Sequence, residues 1–201
     1  MTDIGLSSPT LHFEGYCRRL SALLADYDWH PVEALALELL DCWISGRQVF
    51  LTGNGGSAGN AIHLANDLLY ALSKTAGSGL RVHGLPANQA LITCLANDEG
   101  YEKIYSLQLA VLARPGDVLI VLSGSGNSPN ILAALEEARR IGMKSFAVLG
   151  FSGGRAKALA DMPIHFEVDD MQLAEDAQLV VGHMITQWLH SQREHVRSLR
   201  G

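Results

Sequence analysis

Over residues 10–27 the apolar positions Leu11, Phe13, Tyr16, Leu20, Leu23 and Leu24 recur at close to the helical period, which predicts an amphipathic helix. A second helix is predicted over 31–44, with Pro31 in its first turn and Gly46 just past its end. Two helices ahead of the first strand are more than a minimal doubly wound domain needs. Their apolar faces call for a cover, and a neighbouring subunit is the natural candidate. From residue 47 onward the pattern changes. Short apolar runs at 47–52, 80–85, 117–122, 145–149 and 164–168 read as strands. Segments of helical character lie between them at 57–73, 88–96, 101–112, 130–141 and 153–159, and a long helix closes the chain over 172–197. A polar, glycine-containing loop is expected at 74–79. The run 117–122 is apolar throughout, as a strand buried on both faces is, and takes a central place. Strands separated by helical stretches require right-handed crossovers, hence a parallel sheet with helices on both faces.

Two of these strands run into glycine-rich turns that open helices. The first reads Gly53-Asn54-Gly55-Gly56-Ser57, the second Ser123-Gly124-Ser125-Gly126-Asn127-Ser128-Pro129. Glycine lets the backbone approach a ligand, and the first amides of a helix carry partial positive charge without an intrahelical partner, so each turn suits an anion. In an open parallel sheet such turns lie beyond the carboxyl ends of the strands, where ligands bind. Three serine hydroxyls with free amides can surround a phosphoryl group without a lysine. The first turn is not a Walker A motif, since no Gly-Lys-Ser or Gly-Lys-Thr follows, and it lacks the third glycine of the dinucleotide fingerprint. Four residues apart on the following helix, His63 and Asp67 share a face and could serve one metal ion or one substrate.

Composition narrows the classes. The 201 residues suit one domain, with a helical extension over about 8–45 and an α/β core over about 46–201. With 48% hydrophobic and 18% charged residues the chain is a soluble globular one. Its net charge of -6 gives no electrostatic footprint for nucleic acid or an anionic membrane, so any bound phosphate belongs to a small molecule. Cys17, Cys42 and Cys94 have no ligand-like spacing and read as reduced, mostly buried thiols of a cytoplasmic protein. Neither a signal peptide nor a membrane span is expected.

Taken together, Gly53-Asn54-Gly55-Gly56-Ser57, His63, Asn97-Asp98, the serine loop at 123–128 and Gly182-His183 resemble the sugar isomerase (SIS) domain, and within it the phosphoheptose isomerases. The resemblance covers nearly the whole chain. It implies a three-layer α/β/α fold with a five-stranded parallel sheet of flavodoxin-like topology, a homotetramer with active sites near subunit contacts, and a metal site, often zinc. By position it implies substrate or phosphate contacts at Asn54, Gly55, Gly56, Ser57, Asp98, Ser123, Gly124, Ser125, Ser128 and Glu175. It further implies acid/base work by Asp67 and His183, and metal ligation by His63, Asp67, Glu175 and His183. Five positions depart from the family pattern. Asp67 stands for a glutamate, Glu175 for a glutamine, Gly124 for a threonine, and Ala71 and Leu173 stand where arginines are usual, with Lys74 a candidate substitute cation.

Two imidazoles and two carboxylates also form a fair zinc set by their chemistry, though one that iron, manganese or cobalt would accept. Glu175 and His183 are eight residues apart, ~12 Å of helical rise, so both reach one ion only if their side chains lean together or the helix is irregular. A plainer reading competes: His63 packs on the sheet, and Glu175 with Asp176 favours a helix N-terminus. The remaining histidines, His12, His30, His83, His165, His190 and His195, fit surface or core positions, and Trp43 and Trp188 fit packing.

The expected reaction interconverts an aldose and a ketose phosphate, sedoheptulose 7-phosphate and a heptose 7-phosphate, through an enediolate. A residue fully engaged with a metal cannot also be a free base, which leaves release of a ligand or a bound water to act. Two alternatives stand beside it: a non-catalytic SIS protein that binds a sugar phosphate or a protein, and an isomerase of another phosphosugar in nucleotide-sugar or natural-product biosynthesis.

Overall fold

A computed structural model describes residues 8–72 and 79–200. Two helices lead, α1 (Pro9–Ala25) and α2 (His30–Ser45). They are followed by β1 (Gln48–Gly53), α3 (Gly56–Asn66) with a π-helical turn at Asp67–Ala71, and β2 (Arg81–Gly84). A single 3-10 turn (Leu85–Ala87) leads to α4 (Gln89–Asp98), and a second (Tyr101–Lys103) to α5 (Ser106–Leu112). The chain continues through β3 (Val118–Ser123), α6 (Pro129–Ile141), β4 (Lys144–Leu149), α7 (Ala156–Leu159), β5 (Met162–His165), α8 (Met171–Ser191) and α9 (Arg193–Arg200). The five strands form one parallel sheet in the order β2-β1-β3-β4-β5, with Val49 opposite both Val82 and Val118. β3 is central and buried along its whole length, as its unbroken apolar run predicts.

Alternate strand residues feed two cores. Val49, Leu51, Ile120, Leu122 and Val148 pack with α2, α3 and α8 on one face. Phe50, Leu119, Val121, Ala147 and Leu149 pack with α5, α6 and α7 on the other. The result is a three-layer α/β/α sandwich. Each fully buried aliphatic or aromatic side chain contributes ~1.5–3 kcal/mol, and the site's loops stand on this rigid base.

The two leading helices behave differently. α2 buries Val32, Leu35, Ala36, Leu39, Cys42 and Trp43 against its own chain and leaves Leu37 exposed. α1 buries none of its residues and exposes Leu11 and Phe13. It is tied by partly buried Leu23 and Leu24, which pack on the core, and by two polar contacts: the Tyr16 hydroxyl donates to Asp176 at 2.6 Å, and Arg19 donates to Asp170 at 2.7 Å. Asp170 is also the N-cap of α8, accepting from the amides of Gln172 and Leu173.

Several boundaries differ from the pattern-based expectation. β5 begins at Met162 and ends at His165 rather than spanning 164–168, because Pro163 is tolerated where the strand forms the sheet edge. The helix predicted over 101–112 is a 3-10 turn and a separate α5, and the one over 172–197 divides at Gln192 into α8 and α9. The helix predicted over 57–73 starts at Gly56 and widens into the π-helical turn. Residues 73–78, with most of the expected loop and Lys74, lie outside the described residues. Cys42 alone is a buried thiol; Cys17 and Cys94 are exposed, since α1 and α4 bury no residue fully.

Candidate active site

At the carboxyl end of β1 the chain turns through Asn54 and Gly55, whose φ of 56° places it in the left-handed region, and enters α3 at Gly56. Gly55 accepts through its carbonyl from the amides of Ala58 and Gly59, leaving the first amides of α3 pointing outward. The Asn54 side chain does not project freely into this turn. It exchanges two hydrogen bonds with Asn130 of α6, Asn54 Nδ2 to Asn130 Oδ1 at 2.9 Å and Asn130 Nδ2 to Asn54 Oδ1 at 2.8 Å. The hydroxyls of Tyr101 and Tyr105 reach the same Asn54 oxygen at 3.4 Å. Tyr105 also donates to the Gly53 carbonyl, and burial pushes its phenol up to about 12, so it remains a donor. Asn54 is thereby a brace between the two loops.

The second loop leaves β3, the neighbour of β1, so the two turns lie side by side. Ser123 Oγ accepts from the amide of Gly126 at 3.1 Å, and Ser125 Oγ accepts from the amide of Asn127 at 3.4 Å. A hydroxyl that already accepts keeps its own proton for a ligand. Ser128 is the N-cap position of α6, and its carbonyl takes the amides of Ile131 and Leu132. Asn127 donates to the Ser125 carbonyl and accepts from the Arg155 amide, which ties the loop to the start of α7. At Gly124 a Cβ would stand 2.7 Å from Met171 Sδ and 3.4 Å from Phe151, so these two side chains fill the space that a threonine would take. Phe151 itself sits at φ 44°, unusual for a residue with a side chain.

Farther along α3 and α8 three donors converge. His63 Nε2 lies 2.9 Å from His183 Nε2, and Asp67 Oδ2 lies 3.4 Å from the first and 3.7 Å from the second. These three atoms are mutually placed for a single ion. Metal–nitrogen bonds of ~2.0–2.1 Å in a tetrahedron put ligand atoms ~3.3 Å apart, which the three distances bracket. Both imidazoles are about half exposed, with side-chain exposures of 50% and 47%, so a metal held here would keep an open position as catalytic zinc sites do. The π-helical turn begins at Asp67, and such turns re-aim side chains within a helix. Gly182 explains the approach of α8: a Cβ there would run into the side chain of Leu64 on α3.

Glu175 is not in this group. Its carboxylate lies against the first turn of α3, where a Cβ on Gly56 would collide with both of its oxygens. Eight residues of α8 separate it from His183, and the helix runs unbroken between them, so the spread along the axis wins over any leaning of side chains. α8 begins at Met171 with Asp170 as its N-cap, so Glu175 and Asp176 lie beyond its first turn, and Asp176 accepts from Tyr16. Asp98, at the end of α4, accepts from Asn97 at 2.8 Å and from the thiol of Cys94 at 3.4 Å, both in its own helix. The structure thus brings together His63, Asp67 and His183, and sets Ser57, Ser123, Gly124, Ser125 and Ser128 on the paired loops with Glu175 beside Gly56. The Asp98 contacts stay within α4. Leu173, at 1% exposure, is core. Ala71 sits in the π-helical turn.

A family model described as the SIS domain matches residues 12–150. A protein of Trichlorobacter lovleyi named phosphoheptose isomerase is 37% identical over 155 residues, covering 77% of this chain and 79% of its own. The chain belongs to the phosphoheptose isomerase group of the SIS family. A second relative so named, from Desulfovibrio desulfuricans, is 35% identical over 93% of this chain and 88% of its own. The solved phosphoheptose isomerase of Francisella tularensis superposes with a TM-score of 0.82 at 26% identity, covering 92% of this chain and all of that one. The SIS fold accounts for the strand order and for both loops lying side by side at the carboxyl end of the sheet.

Four residues of this SIS site were not legible as motifs: Asn130, Tyr105, Asn60 and Gln178. Two of them, Asn130 and Gln178, are polar where their neighbours are apolar. Asn130 is 1% exposed among buried Ile131, Leu132 and Ala134, and Gln178 is 1% exposed among buried Ala174, Ala177 and Val181. A lone amide on a buried helical face is the signal that could have found Asn130 and Gln178, whereas nothing in the sequence marks Tyr105 or Asn60.

Proposed function

We propose that the protein is an aldose–ketose isomerase that converts sedoheptulose 7-phosphate to a heptose 7-phosphate through an enediolate, as a cytoplasmic homotetramer. One arrangement carries this reading: a cradle of hydroxyls and amides opens α3, and about 9 Å of helical rise beyond Ser57 the same helix presents His63 to His183. The separation is on the scale of an open-chain heptose phosphate. Phosphate held at the loops places the sugar's other end at the histidines and Asp67, so binding energy from the remote group goes into orientation.

Asp67 and His183 divide the proton transfers. One takes the weakly acidic proton from the carbon beside the carbonyl, and the other returns it at the neighbouring carbon. His63, Asp67 and His183 would hold zinc, which when bound would polarise a carbonyl, and Asp67 or His183 would then move the proton either on release from the ion or through a water beside it. The Glu175 carboxylate accepts hydrogen bonds but cannot donate them, unlike the amide usual at its position, and so it favours a second reading in which the substrate is a different phosphosugar.

The test is a conversion assay on a panel of heptulose and hexulose phosphates, paired with metal analysis of protein purified without chelator. The proposal expects heptose phosphate from sedoheptulose 7-phosphate and bound zinc that is lost in His63→Ala and His183→Ala. Turnover of another phosphosugar alone would favour the second reading. No turnover of any would leave a binding protein.

A further inference from the structure

The half-buried amide of Asn60 on α3 and the buried amide of Gln178 on α8 form a hydrogen-bond series whose direction is fixed at one end. Asn60 Nδ2 lies 3.0 Å from the backbone carbonyl of Glu175 and 3.0 Å from Gln178 Oε1. A backbone carbonyl only accepts, so the Asn60 group facing it is the NH2, and its second proton goes to Gln178 Oε1. That orientation leaves Gln178 Nε2 facing Ser57, to which it donates at 3.1 Å. Ser57 Oγ is therefore an acceptor on its inner side, and its own proton points away from the amide toward the loop. Ser57 is 3% exposed and Gln178 1%, so water does not compete for these groups.

We propose that Asn60 and Gln178 are positioning residues that set the polarity of the Ser57 hydroxyl, making it a donor to the substrate phosphate. A serine hydroxyl can donate or accept with equal ease, and near an anion only one choice binds. The same logic acts in the second loop, where backbone amides occupy Ser123 and Ser125. At Ser57 side chains do this work, so it can be reversed by mutation. The inference rests on the assignment of the loops to phosphate, and the experiment separates the two.

Binding of sedoheptulose 7-phosphate and of inorganic phosphate is measured by calorimetry for the wild type, Gln178→Glu, Asn60→Asp, Ser57→Ala and the double variants with Ser57→Ala. Gln178→Glu nearly keeps the side-chain size but leaves a group that only accepts, so Ser57 turns its proton inward. Asn60→Asp removes the donor to Gln178, whose amide then flips and presents its oxygen to Ser57. Either change is expected to weaken phosphate and sugar-phosphate binding by ~10-fold or more, as does Ser57→Ala, because each forfeits one hydrogen bond to a charged group. In the Ser57→Ala background both changes should add little. Two variants that act on different residues guard against one failing to fold, and thermal melting reports that directly. Unchanged binding in the folded single variants would overturn the proposal. So would an equal loss with and without Ser57, which would mean that added negative charge or loosened packing, not hydroxyl polarity, is responsible. Failure of the wild type to bind either ligand would overturn the phosphate assignment, and this inference with it.

Discussion

Asp67 shows how far one side chain can be read. Its pairing with His63 follows from a spacing of four, while its meeting with His183 across 116 residues needs α8 to lie close on α3. Gly182 permits that approach. Gly182→Ala would press on the buried Leu64 side chain and is expected to cost ~1–3 kcal/mol of stability, with a larger fractional loss of activity than of fold, measured by denaturant melts beside turnover. Asp67→Asn keeps the size but not the base, and kcat should fall by about 10²–10⁴-fold with the melting temperature little changed. Asn130→Ala removes the partner of the Asn54 amide. Leaving its NH2 without that acceptor, while Tyr101 and Tyr105 still reach its oxygen, costs ~1–3 kcal/mol, and loosening of the two loops should raise KM more than it lowers kcat. Glycine, serine and histidine positions were legible because their chemistry is distinctive. The amides were not, because an asparagine or glutamine in a helix carries no spacing signal until its neighbours are known.

Among the elements, strands were more legible than the ends of helices. The apolar run of β3 identified the central strand, whereas β5 was misplaced because Met162-Pro163 reads as a loop until the sheet edge makes room for proline. The π-helical turn leaves no trace in the apolar spacing, since it inserts only a local widening. Contacts between elements were equally hidden. Glu38 on α2 accepts from Arg47 at the start of β1, at 2.9 Å, and from Lys144 at the start of β4, at 2.7 Å. Burial alone would raise its carboxyl, but the hydrogen bonds from Lys144 and Arg47 outweigh burial and hold it below the usual range. A lowered folded value means that the stabilisation is present above the ordinary carboxyl range and is lost as pH falls through the folded value. Glu38→Gln should therefore be less stable than the wild type by roughly 0.5–1 kcal/mol at pH 7. The gap should close below about pH 4 in paired urea melts, and a gap that persisted there would point to packing instead.

For the molecule as a whole, the layered fold sets the distance between two kinds of chemistry. The sheet order places the loops after β1 and β3 side by side, and α3 with α8 carries the His63, Asp67 and His183 group away from them by a fixed rise. On the proposed reading, an anion held by neutral donors at one end and proton-transfer groups at the other would make the reaction depend on a phosphate that takes no part in bond-making. Deuterium exchange monitored by proton NMR tests this most directly, with sedoheptulose 7-phosphate and free sedoheptulose compared at equal concentration in heavy water. The account predicts label entering the carbon next to the carbonyl of the phosphorylated sugar, and exchange at least ~100-fold slower in the free sugar, as expected when two or more charge-assisted hydrogen bonds are forfeited. Equal exchange in both sugars, or none in either, would contradict it.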